Sequence, residues 1–149
     1  MNREIKFRGK RVDNCEWVYG KLLNHKRIIT IKDEDVEKMA CFDMCDYQQE
    51  VIPSTIGQFT GLKDKNGKEI YEGDVIKELG LKETWTLSRR DEFSERKHVI
   101  KWCDHDLQWC GVLIEDDEDY ELDTRPLIFL DRKYTLEIIG NIHDKEEVK

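Results

Sequence analysis

Polar Glu4, Lys6 and Arg8 alternate with apolar Ile5 and Phe7 near the start of the chain, the period-two pattern of a half-buried strand. Asp13-Asn14 marks a turn, and a second strand is predicted over 16–23, through Trp17, Val18 and Tyr19, ahead of a turn at Asn24-His25. Arg27-Ile28-Ile29-Thr30-Ile31-Lys32 reads as a third strand. Asp33-Glu34-Asp35 end it, and acids of this kind favour the start of a short helix, here through Met39. Another strand is expected over 47–52, stopped by Pro53, which cannot donate to a ladder. The first third is therefore a β-meander.

The middle of the chain carries the clearest hairpin. Gln58-Phe59-Thr60-Gly61-Leu62 and Lys68-Glu69-Ile70-Tyr71 flank Asn66-Gly67, a pair suited to the positive φ of tight turns. Glu72-Gly73-Asp74 gives a second reversal before Val75-Ile76-Lys77. Residues 80–96 are polar and poorly periodic apart from Trp85, Leu87 and Phe93, so a long excursion is expected there, with any helix confined to 83–95. Lys97 to Cys103 and Leu107 to Ile114 then form a hairpin about Asp104-His105-Asp106. Leu127 to Leu130 and Thr135 to Ile142 are the last predicted strands, before a charged tail over 144–149.

Composition strengthens the β reading. The 149 residues include 14 Ile and 8 Val but a single alanine, Ala40. β-branched side chains suit a pleated surface, whereas helix-rich chains use alanine freely. The longest apolar runs, such as Leu127-Ile128-Phe129-Leu130, fall far short of the roughly 20 residues of a membrane helix. The alternating start lacks the apolar core of a secretory signal, so the expectation is a soluble, cytoplasmic protein with no membrane contact.

Charge is polarised. Residues 1–30 carry 8 Lys/Arg against 3 Asp/Glu, a net of +5, while the remaining 119 carry 17 against 30, a net of −13. Seven acids crowd into Glu115 to Asp123, without the spacing of a calcium loop. The net charge of −8 repels nucleic acid and anionic lipid as a whole, but a chain with two oppositely charged parts is suited to head-to-tail contact with its own copies.

No reaction is signalled. Cys15, Cys41, Cys45, Cys103 and Cys110 read as reduced thiols, since the count is odd. Cys41 and Cys45 form one group and Cys103, His105 and Cys110 a looser second, but no pair has zinc-ribbon spacing. His105 between two aspartates and His143 before Asp144 are the histidines with carboxylate neighbours, and turns usually hold such groups in solvent. There is no Walker loop, nucleophile elbow, H-E-x-x-H or dinucleotide motif. No catalytic, cofactor-binding or metal-ligating residue is assigned, and no cofactor is expected.

The block Gln58-Phe59-Thr60-Gly61-Leu62-Lys63-Asp64-Lys65-Asn66-Gly67-Lys68-Glu69-Ile70-Tyr71-Glu72-Gly73-Asp74-Val75-Ile76 closely resembles the signature of the YopX family of phage and prophage proteins. The opening Arg3-Glu4-Ile5-Lys6-Phe7-Arg8 and the closing Glu137-Ile138-Ile139-Gly140-Asn141-Ile142-His143 are similar to that family's two ends. The resemblance implies a β-rich N-terminal part joined to a C-terminal SH3-like barrel, occurrence in temperate phages and prophages of Gram-positive bacteria, and no established activity to carry over. The expected architecture is mainly β, with an N-terminal β-rich region over 1–56, an SH3-like barrel over 57–149, and few short helices. The strands read after Asn66 agree with such a barrel.

Within the central block, Tyr71 and Asp74 offer a recognition surface. The alternative is structural: Gly61, Gly67 and Gly73 permit turns, Asp64 and Asn66 bond their own backbone, and Ile70, Val75 and Ile76 fill the core. Arg3, Lys6 and Arg8 give a basic strand, and Trp85 is the aromatic best placed for an exposed contact. Trp102 and Trp109 are expected to be cross-strand or core partners. The leading expectation is a non-enzymatic phage accessory protein that binds an unidentified host or phage protein and forms homo-oligomers. The rival is a nucleic-acid-binding module using the basic N-terminal strand and the barrel aromatics, and a weaker third is an acidic decoy of a host DNA-binding protein.

Overall fold

Alternation at the N-terminus is realised as β1 (Phe7–Lys10), which pairs antiparallel with β2 (Trp17–Asn24) in the register Arg8 opposite Tyr19 and Lys10 opposite Trp17. The computed structural model describes residues 4–30, 48–81, 96–114 and 124–144. It is mainly β and divides into two compact units, Met1–Phe59 and Thr60–Lys149. The segments expected to hold a helix at 33–39 and at 83–95, and the acidic run 115–123, lie outside the described residues, as do Arg3, Cys41, Cys45 and Trp85.

In the first unit, β3 (Arg27–Ile29) and β4 (Gln48–Glu50) continue the sheet beyond β2, and β5 (Gly57–Lys63) joins on the other side, giving the order β4-β3-β2-β1-β5. Ile28 and Val51 are fully buried on one face. Gly9 lies against Val51: a Cβ there would stand 3.0 Å from the Val51 Cβ, so the small residue lets the strand close on its core. Pro53–Thr55 is a single 3-10 turn. The Thr55 hydroxyl accepts from the Lys10 amide at 2.9 Å and donates to the Ile52 carbonyl at 2.7 Å, which ties this turn to β1.

In the second unit, the C-terminal half of β5 pairs with β6 (Glu69–Tyr71). An antiparallel sheet of order β10-β9-β8-β7-β11 follows, formed by β7 (Asp74–Leu81), β8 (Lys97–Cys103), β9 (Gln108–Ile114), β10 (Thr124–Pro126) and β11 (Tyr134–Asn141). Ile70, Ile76, Ile100, Leu127, Leu130 and Leu136 make the core, with Leu62, Trp109 and Ile138 packed on it. The expected β8–β9 hairpin is present, and Trp102 and Trp109 face each other across it, rings edge to face at 5.1 Å. Among the described residues no strand pairing closes this sheet into a barrel.

One predicted element changes type. Leu127 to Leu130 is not a strand but the start of α1 (Leu127–Lys133). Leu127 and Leu130 are buried while Ile128 and Phe129 are half exposed, so the run buries every third residue and lies across the sheet. A four-residue apolar run is compatible with either period, and the contact it finds decides between them.

Candidate interaction face and side-chain clusters

Strand alternation puts Lys6, Arg8 and Lys10 on one face of the first unit, and the β1–β2 register puts Tyr19 and Trp17 on that same face. The Lys6 Nζ lies 4.8 Å from the centre of the Phe59 ring, and the Arg8 Cζ and Lys10 Nζ lie 4.6 and 5.2 Å from that of Trp17. Such contacts stabilise by about 0.5–1 kcal/mol each at exposed sites and more when dry. Tyr19 is 48% exposed, and Lys6, Lys10 and Trp17 are half-buried. Arg8 departs from the sequence reading: it is only 4% exposed, its cation laid on Trp17 rather than presented to a partner.

The surface expected at Tyr71 and Asp74 is also corrected, because both are 1% exposed. The Asp74 carboxylate accepts from the Tyr71 amide at 2.8 Å and from the Asn141 side-chain amide at 3.3 Å, so it fixes the reversal between β6 and β7 from inside. Asp64 does the same for the Asn66-Gly67 turn. Its carboxylate accepts from the amides of Asn66, Lys68 and Ile138 at 2.8, 2.9 and 3.2 Å. Burial pushes its pKa up, but the amide donors, those of Lys68 and Ile138 foremost, outweigh that and hold it below the ordinary aspartate value.

That turn also covers an edge. The Ile138 amide and the Leu136 carbonyl belong to β11, the last strand of its sheet, and they bond to Asp64 and to the Lys65 amide. Lys65 adds an ion pair to Glu137 at 3.0 Å. An uncovered eight-residue edge is a template for unwanted pairing, and the signature block occupies part of it.

Two further clusters emerge from the fold, the first with no signal in the sequence and the second with part of one. His98 on β8 is fully buried, with its Nε2 2.6 Å from Glu78 on β7. Twenty positions separate them, and only the strand pairing brings them together. Both side chains are buried within the second unit. The second cluster sits at the turn end of the β8–β9 hairpin: Cys103, Asp106 and Cys110 bring their donor atoms within 4.8 Å of one another. Cys103 Sγ lies 3.6 Å from one Asp106 oxygen, and His105 Nδ1 lies 2.9 Å from the other. Burial, helped by Cys103 and Asp106 nearby, pushes the Cys110 thiol up to about 11. The cysteine pair is visible in the sequence as the looser second group; Asp106 as its partner is not.

Comparison with known proteins settles the lineage. The family model described as YopX protein matches residues 6–148. The chain belongs to the YopX family. A solved structure similar to this YopX chain is described as the crystal structure of protein EF1440 from Enterococcus faecalis; it is 23% identical, with 95% of each chain covered and a TM-score of 0.48. No curated protein matches. Of the six residues expected to form an interaction surface in this YopX chain, Lys6 stays on a half-exposed face, Arg8, Tyr71 and Asp74 are buried, and Arg3 and Trp85 lie outside the described residues. Trp17 and Tyr19, predicted strand residues, make Lys6 part of a mixed basic and aromatic face.

Proposed function

We propose that the protein is a non-enzymatic binding module that self-associates through the basic and aromatic face of its first unit. The observation that carries this reading is the stack itself: Lys6, Arg8 and Lys10 are interleaved with Phe59, Trp17 and Tyr19 on one sheet face. The occupant is the acidic surface of a second copy, because residues 31–149 carry a net of −13 against +5 for residues 1–30. Long cations already held on rings lose less freedom on contact, charge sets the orientation, and the rings of Trp17 and Tyr19, unlike the buried Phe59, supply apolar area. Light scattering at micromolar protein tests it. The expected mass exceeds 17.8 kDa and falls on Tyr19→Ala or Lys10→Glu; a mass of 17.8 kDa at every concentration overturns it.

A second reading is favoured by the same interleaving, since cations alternating with rings also suit single-stranded nucleic acid. The net charge of −8 and the burial of Arg8 weigh against it. Salt-sensitive binding of a labelled single-stranded oligonucleotide, lost in the same variants, would replace the first reading. We further propose a phage accessory role in the host cytoplasm, supported by the family, and an opened SH3-like barrel for the second unit, supported by its strand order and by the Asp64 turn seated on β11.

A further inference from the structure

The β8–β9 hairpin crosses its strands so that Cys103 stands opposite Gln108 and Cys110 opposite Lys101. The two cysteines are therefore diagonal neighbours on one face of the ribbon, and the turn between the strands returns Asp106 to them. We infer that this hairpin end is a binding site for a soft divalent cation of the zinc class, held by Cys103 Sγ, Cys110 Sγ and one Asp106 carboxylate oxygen, with a fourth position open to solvent.

Geometry supports the assignment. Around a tetrahedral zinc, with metal–sulfur bonds near 2.3 Å and metal–oxygen bonds near 2.0 Å, sulfurs stand about 3.8 Å apart and a sulfur and an oxygen about 3.5 Å apart. The Cys103 sulfur and the Asp106 oxygen are 3.6 Å apart, and all three donor atoms lie within 4.8 Å of one another. Only small side-chain rotations separate this arrangement from a closed coordination shell. Donor chemistry narrows the cation. Two sulfurs and a single carboxylate do not suit calcium or magnesium, which take oxygen ligands, and do suit a zinc-class ion.

His105 completes the site from outside. Its Nδ1 is 2.9 Å from the Asp106 oxygen that faces away from Cys103, so it positions the carboxylate with the other oxygen toward the thiols. Exposure is graded in the same sense: Cys110 is buried, Cys103 half-buried and Asp106 exposed, which leaves the fourth position on the solvent side. On binding, the metal displaces the two thiol protons to solvent.

The test is a cobalt titration of the full chain carrying Cys15→Ser, Cys41→Ser and Cys45→Ser, under a non-chelating reductant. The expected result is one equivalent of Co²⁺ giving a near-ultraviolet thiolate-to-metal band with the intensity of two thiolates and visible bands of tetrahedral cobalt, all removed by one equivalent of Zn²⁺. Cys103→Ser halves the thiolate band. Asp106→Asn keeps the band and weakens affinity about a hundredfold, and His105→Ala about tenfold, with His105→Gln restoring part of that loss. A folded chain with no thiolate band, or a band unchanged by Cys103→Ser, overturns the inference. So does a two-hydrogen mass loss showing a Cys103–Cys110 disulfide that forms even when Zn²⁺ is in excess. If the triple background does not fold, the unsubstituted chain is titrated beside its Cys103→Ser and Asp106→Asn variants: a loss of one thiolate's intensity and of affinity supports the site, and identical curves overturn it.

Discussion

Asp64 concentrates the work of the signature block in one side chain. Three backbone amides point at its buried carboxylate and depress its pKa, so the native state keeps the charge at a pH where the unfolded chain takes up a proton. The stability from this group is fully present above the ordinary aspartate value of 3.8 and is lost as pH falls through the lower folded value. Asp64→Asn is expected to cost about 2 kcal/mol at neutral pH and to flatten the acid limb of stability, measured by urea unfolding at a series of pH values. Three residues on, Gly67 has φ +78° with open space around its Cα, so a side chain there meets strain and no clash. Gly67→Val should cost about 1–3 kcal/mol, and an unchanged unfolding midpoint would refute that account.

At the scale of elements, α1 is held on the sheet by Leu127 and Leu130, with no help from helix propensity over so short a length. Leu130→Ala should cost about 3 kcal/mol, whereas Ile128→Ala, at a half-exposed position, should change little. Gly111 on β9 gives a second handle on the same contact. A Cβ there would stand 2.7 Å from Leu130 Cδ1 and 3.1 Å from His98 Cβ. Gly111→Ala is therefore expected to destabilise the protein, and less so in the Leu130→Ala background; equal costs in both backgrounds would show that Leu130 is not what it meets. Beside this contact, the His98–Glu78 pair is a buried polar link between β7 and β8. His98→Leu leaves the Glu78 carboxyl without its partner, so the single variant should be less stable than the double variant His98→Leu with Glu78→Leu.

For the whole molecule, β5 carries the chain from one unit into the other, and its first residues depend on β1. Phe7 pairs with Gln58 and Arg8 with Gly57, and the Phe59 amide donates to the Lys6 carbonyl. Removing residues 1–32 would bare this stretch of strand and delete most of the interaction face. Such a truncation is expected to aggregate as its β5 edge pairs between chains, detectable as scattering that rises with time, and a clear monomeric solution would refute it. Point substitutions at Tyr19 and Lys10 are for that reason the sharper probes of self-association. Among the described residues no helix is long and apolar enough to cross a membrane.

Local chemistry determined the turns and the strands. Asn66-Gly67, Gly73, and the alternation around Phe7, Val99 and Val112 encode conformations through nearest neighbours: Gly67 and Gly73 take positive φ at their turns, whereas Gly61, expected at a turn, takes positive φ within β5. The Trp102–Trp109 pairing was legible for the same reason, since a hairpin's register follows from its own turn. Packing across long sequence separations decided the rest. Leu127 to Leu130 became a helix because the sheet buries every third residue of it. Tyr71, Asp74 and Arg8, polar enough to read as surface, lie inside: Asp74 bonds the Tyr71 amide and Asn141, and the Arg8 cation lies on Trp17. Glu78 met His98 because strand pairing joins residues twenty positions apart, which nothing local announces, and Asp106 met the two cysteines near it in sequence because the hairpin turn folds its side chain back onto them.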